Sequence, residues 1–276
     1  MRDDLFPGSS LLSLFIQDSN EVIETVNGIV YAASFADFTA TFAAKFYQSF
    51  LENGRWKLYL TGLGNTLKVT VLALALGVIL GVITALIRTA YDQRRPGRHT
   101  AGSVVLAILN AITKVYITVI RGTPAIVQLM IWGLVVFASS RNFTLVGALG
   151  LGINSGAYVS EIIRSGLMSV DKGQMEAGRS LGLNYMTTMV NVIIPQAIKN
   201  ILPALGNEFI TLLKDTSLIS VIAGKDMLYA AKAIAAKNYD YLFPLIGISV
   251  VYLIMVIIFS WLLGILERRL RASDLR

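Results

Sequence analysis

The chain has no cysteine, and its only histidine, His99, lies in a charged loop. Disulfides, thiolate metal sites and a His-rich metal centre are thereby excluded. No G-x-x-x-x-G-K-[ST] pattern occurs, so the phosphate-cradling loop of a nucleotide hydrolase is missing. No paired-acid motif supports a membrane-embedded enzyme. Charge is also scarce: 15% of residues are charged, against about 25% in an ordinary soluble domain. What fills the gap is apolar, 55% of 276 residues, which makes lipid part of the solvent.

The net charge of +7 is unevenly placed. Residues 1–57 hold seven acids against Arg2, Lys45, Arg55 and Lys57, a net of −3, which leaves +10 for the rest. The basic residues fall between apolar stretches rather than on one surface, which argues against a nucleic-acid partner. The start, Met-Arg-Asp-Asp, is acidic and the run Leu11 to Ile16 is short, so no signal peptide is read there. Residues 1–56 are expected to be a polar, partly amphipathic lead segment outside the membrane.

A crossing needs about 20 mostly apolar residues. The expected spans are Leu58–Ile87, Thr123–Ala138, Leu145–Met168, Ile201–Ala223 and Leu242–Leu266. Val104–Ile120, interrupted by Lys114, reads as a short interfacial or partly inserted helix. The expected fold class is therefore an all-α integral membrane protein of about five transmembrane helices, in a domain over 57–270. With five spans, three basic segments share one side: 88–100, 169–199 and the tail, whose last residues are 271–276. The positive-inside rule makes that side cytoplasmic, with the N-terminus outside and the C-terminus inside.

Two Gly-x-x-x-Gly pairs, Gly77/Gly81 and Gly152/Gly156, allow close helix approach, either within the chain or across a dimer. Ionisable groups inside spans are costly and so are candidates for function. Asn154, Tyr158, Glu161 and Ser165 fall on one stripe of the third span. Asn207, Glu208, Thr211, Lys214 and Asp215 occupy about a third of the fourth. Two such stripes facing each other would make a hydrated path. A zwitterionic solute needs a carboxylate for its ammonium, which Glu161 or Glu208 could supply, and donors for its own carboxylate, such as Asn207, Thr211 or Asn154. The competing reading is structural: Lys214 and Asp215 closing a gate, Glu161 paired with Arg164 one turn away, and Asn65 and Thr66 bonding between helices.

Between the third and fourth spans the chain turns polar and Gly-punctuated. It reads as a short helix, a turn permitted by glycine, and a second helix stopped before Pro195. Here Glu176-Ala177-Gly178, Gly182 six residues after Glu176, and Val192-x-Ile194-Pro195 resemble the EAA loop of ABC importer membrane subunits. Three further stretches resemble the polar amino-acid permeases of the histidine, glutamine and arginine type: Arg121-Gly-Thr-Pro-Ala-Ile-Val-Gln128, Ala157-Tyr-Val-Ser-Glu-Ile-Ile-Arg164 and Leu213-Lys-Asp-Thr-Ser-Leu218. Gly178 departs from the family's usual alanine, and Val192 and Ile194 from its usual isoleucine and leucine.

The resemblance covers about residues 57–270 and implies a permease subunit in the bacterial cytoplasmic membrane. It implies a second permease, identical or similar, and two copies of a separate ATPase. That ATPase would bind ATP and Mg, and an extracytoplasmic amino-acid-binding protein would deliver the solute. Within 169–199, Glu176, Ala177, Gly178, Arg179 and Gly182 would form the segment that couples to the ATPase. No cofactor or metal is expected in this chain itself. The rivals are an ABC permease for another small solute and a secondary transporter or channel. The second predicts inverted repeats, and no clear repeat is present.

Overall fold

The computed structural model describes residues 38–93 and 100–272 and divides into two compact units, Met1–Gly54 and Arg55–Arg276. The expectations placed on residues 1–37, on the arginines at 94, 95 and 98, and on the end of the tail lie outside the described residues. In the first unit, α1 (residues 38–46) runs into a π-turn, Tyr47–Leu51. Phe38, Phe42 and Phe46 recur one turn apart and are all exposed, an apolar stripe along α1. Asn53 and Gly54 then take left-handed backbone angles.

The second unit is helical, with no strand among the described residues. Among the described residues, four helices are long and apolar enough to cross a membrane: α2 (Trp56–Asp92), α3 (Ala101–Gly122), α5 (Phe143–Met168) and α10, assigned over Leu242–Ala272. Between α3 and α5 lies α4 (Ala125–Met130), which continues as a π-turn, Ile131–Val136. This corrects the expected span at Thr123–Ala138. The apolar helix there is short, and the 22-residue helix is α3, beginning with a capping box made by Thr100 and Ser103.

After α5 come the polar helix α6 (Lys172–Ser180), α7 (Tyr185–Thr188), a π-turn Met189–Ile193 and α8 (Ile194–Asp215). The second polar helix therefore does not stop before Pro195. Proline lacks an N–H and its ring crowds the carbonyl one turn back. At the start of α8, directly after the widened π-turn, Pro195 is accommodated and the chain stays helical. The expected fourth span closes with a 3₁₀ segment, Thr216–Ile222, ended by Ala223 at φ 59°. Asp226 caps α9 (Met227–Asn238), accepting from the backbone N–H groups of Leu228 and Tyr229 at 3.0 and 2.9 Å.

The scaffold is the parallel pair α2 and α5. A Cβ placed on Gly77 would lie 2.8 Å from Ser155 Oγ, on Gly81 2.5 Å from Val159 Cγ1, and on Gly152 2.8 Å from Leu76 Cδ2. Both Gly-x-x-x-Gly pairs are thus used within the chain. Lipid tails are as apolar as these side chains, so the gain comes from close dispersion contact rather than from removing water. Thr66 Oγ1 accepts from Met227 N of α9 at 3.4 Å, an interhelical bond as expected, whereas Asn65 donates to Lys225 O at 2.7 Å in the segment just before α9. Helix α8 runs antiparallel to α5, with Asn200 bonded to Ser169 at one end and Glu208 to Ser155 farther along, and α10 packs on α8 through an edge-on Phe209–Phe259 contact.

Candidate functional site

Two places concentrate the polar residues. The first is α6 and its turn. Asp171 caps α6 by accepting from Gly173 N at 2.6 Å. The helix ends in a wrapped turn: Gly182 N donates to Arg179 O and Leu183 N to Gly178 O, each at 3.0 Å. Gly182 sits at φ 80°, where a side chain strains the backbone although space is free. Asn184 then caps α7, accepting from Thr187 N at 2.8 Å.

Within α6 only Gly178 is buried; Glu176, Ala177 and Arg179 are exposed. Gly178 lies against α7: a Cβ there would meet Thr188 Cγ2 at 2.5 Å and Oγ1 at 2.7 Å. The departure from the usual alanine thus has a local steric cause. Above α6, a cavity of about 570 Å³ separates it from the ends of α2 and α5, where Arg164 stands 3.9 Å from Asp92. Burial raises the Tyr185 phenol, opposed by its hydrogen bond to Gln93 at the end of α2.

The second place is a cavity of about 380 Å³ between α5 and α8, lined by Tyr158, Glu161, Ser165, Asn200 and Glu208, with Arg121 from the end of α3. Arg121 stacks 5.3 Å from the Tyr158 ring centroid. Ser155 donates to Glu208 at 2.7 Å. Of the fourth-span stripe, only Glu208 reaches this cavity. Asn207, Thr211 and Lys214 are exposed, and Asp215 is half-buried farther along α8. Glu161 pairs not with Arg164 but with Arg88 of α2, and their side chains are 26% and 16% exposed. The i,i+3 neighbour lost to a cation on the adjacent parallel helix, a choice invisible to spacing along one helix.

Asn154 also turns away, donating to Gln128 Oε1 at 2.9 Å. Gln128 in turn donates to Ile120 O, Thr123 O and Thr123 Oγ1 at 2.8, 3.1 and 2.7 Å. It therefore satisfies carbonyls freed where α3 breaks at Thr123-Pro124, as a helix break in an apolar medium requires. Gln128 and Arg121 were legible only as parts of a motif. The signal for the first was an amide one turn after Pro124 in an apolar stretch, and for the second a cation ending an apolar run. Among the described residues no cluster of His, Cys, Asp or Glu is arranged to hold a metal.

Residues 99–272 match the family described as binding-protein-dependent transport system inner membrane component. The arginine transport system permease ArtQ of Bacillus subtilis is 39% identical over 220 residues, covering 78% of this chain and 93% of its own. A Rickettsia bellii protein named as the glutamine transport system permease GlnP is 36% identical over 214 residues, with coverage of 75% and 90%. A solved amino acid ABC transporter with histidines is 43% identical, with a TM-score of 0.68 over 77% of this chain and 94% of that one. The inward-facing MetNI methionine ABC transporter, 18% identical with a TM-score of 0.63, shares the fold. The chain belongs to the binding-protein-dependent transport system inner membrane components and is a membrane-spanning ABC importer permease subunit.

Proposed function

We propose that this permease imports polar or charged amino acids, with α6 as the coupling helix. The observation that carries this is α6 itself: a nine-residue helix between two bundle helices, exposing Glu176, Ala177 and Arg179 and burying Gly178 against α7. Such a helix passes on a rigid-body displacement without absorbing it. ATP and Mg bind to two copies of a separate ATPase, and the movement of α6 drives the spans between access states. A second permease, identical or similar, completes the path, and an extracytoplasmic binding protein delivers the solute. The names of the relatives, for arginine and glutamine, favour amino acids over another small solute.

In this reading α6 lies in the cytoplasm, the N-terminus outside and the C-terminus inside. Taking α2, α3, α5, α8 and α10 as the five crossings leaves the basic segments on one side, because α3 replaces the expected second span without adding one. The transmembrane domain spans 57–270 with the coupling loop at 169–199, preceded by the lead segment 1–56 and followed by the tail 271–276. Tyr158, Glu161 and Glu208 line the solute path, and Arg121 joins them as a partner for the solute carboxylate. Asn154 tunes the same wall through Gln128. Asn207, Thr211, Lys214 and Asp215 face the path or the second permease.

Radiolabelled amino-acid uptake and ATPase stimulation in proteoliposomes test this. Glu176→Ala and Gly182→Ala should abolish both while membrane insertion is unchanged. Normal uptake in both variants would sink the coupling assignment. Glu208→Gln should raise the uptake KM without dissociating the ATPase, and unchanged uptake across solute concentrations would remove Glu208 from the path.

A further inference from the structure

The charges of α2 and α5 mark out a slab. In α2, Lys68 and Arg88 bracket 19 uncharged residues, and Arg141, just ahead of α5, and Glu161 within it also bracket 19. At 1.5 Å per residue each run is about 28 Å long, close to the hydrocarbon thickness of a bilayer. At the end near α6, Arg88 and Glu161 neutralise each other. At the other end the charges have the same sign. Lys68, Arg141 and Lys225 line one cavity of about 550 Å³. All three side chains are exposed, and among the described residues none forms an ion pair. The acid beside Lys225 in sequence, Asp226, is 1% exposed and committed to capping α9.

The cations are placed by fixed elements. Lys68 is on a helix, and Arg141 directly precedes the α5 N-cap. Lys225 is held by its backbone on both sides, with its N–H donating to Thr144 Oγ1 at 2.9 Å and its carbonyl accepting from Asn65 at 2.7 Å. The cavity also opens onto apolar surface. Leu72 and Leu145 line it and are exposed, and Leu72 continues into Ile79, Ile83 and Leu86 along one exposed stripe of α2.

We infer that this cavity binds the phosphodiester headgroup of an anionic phospholipid, with an acyl chain lying along the α2 stripe. Three cations at headgroup level repel one another without a counter-anion. A phosphate accepts from Lys and Arg together, and only a lipid also uses the aliphatic surface below it. The inference does not depend on which solute the permease moves.

Native mass spectrometry of the delipidated full-length protein, titrated with phosphatidylglycerol and then with phosphatidylcholine of equal chain length, tests it. The protein should retain the anionic lipid about tenfold better, and the combined variant Lys68→Gln, Arg141→Gln, Lys225→Gln should lose that preference. Arg141→Lys should keep it, and unchanged melting of both variants shows that folding is intact. Equal retention of the two lipids by the wild type overturns the proposal, as does a preference that survives the triple substitution. Inorganic phosphate or headgroup without acyl chains that binds as well as the lipid assigns the cavity to a free anion instead. A triple variant with normal lipid retention but no response to an acidic soluble protein assigns it to protein docking.

Discussion

Along α2 and α5, four glycines let two helices approach until a single added methyl would overlap its neighbour, whereas α6 buries only Gly178, against Thr188 of α7, and exposes most of its other residues. The seam is a closed contact with no slack. The polar helix is a body with a small buried contact and a mostly exposed surface. A seam of that kind keeps two spans moving as one, and an attachment of that kind lets a small helix be pushed from outside.

The largest effect is expected at the seam. Gly81→Leu forces a side chain where a Cβ alone would meet Val159 Cγ1 at 2.5 Å, at a cost of about 3 kcal/mol or more. Folded protein recovered in detergent should drop sharply, and normal yield would show that the seam can open. Next comes the tie at its α6 end. Arg88→Ala leaves Glu161 without its cation and should cost about 1–3 kcal/mol, reduced by partial exposure. In a double-mutant cycle with Glu161→Ala by thermal melting, a coupling energy near zero would reject the tie.

At α6 the expected effect moves from stability to function. Gly178→Ala should leave melting within about 1 kcal/mol, because the short helix can shift, yet lower uptake several-fold. Adding Thr188→Ala removes the two nearest atoms and should restore much of the loss, and no rescue would mean that the Gly178 contact does not set the position of α6.

The smallest effect lies at Asp226, outside the spans. Burial raises its carboxyl from 3.8 to about 6, against the cap hydrogen bonds that favour the charged form. The native state therefore holds the proton more tightly than the unfolded chain. Its stabilising contribution is full below about pH 4 and is lost as pH rises through 6, a gain of about 1 kcal/mol at pH 5 over pH 7.5. Asp226→Asn should flatten that part of the melting-temperature profile, and an identical profile would reject the assignment.

Most of this architecture can be read along the chain, because a span declares itself by length and a capped polar helix by Asp171, Gly178 and Gly182. The Gly-x-x-x-Gly pairs announced close packing but not its partner. What could not be read were choices between neighbours brought together by folding. Glu161 had Arg164 one turn away and took Arg88. Gln128 had no visible task until α3 broke above it. The stripe expected on α8 divides because one helix face must serve both α5 and an open surface, and only Glu208 lies where the two overlap.

The π-turn Met189–Ile193 has a consequence for sequence length. Each residue advances a helix by about 100°, and a π-turn takes in one residue more than an α-turn. The face of α7 that seats Gly178 and the face of α8 that carries Glu208 are therefore set in phase by one surplus residue. Deleting a single residue there would leave every contact within α6 and every contact within α8 chemically possible. It would still rotate one set away from the other, so this short stretch tolerates substitutions far better than changes in length.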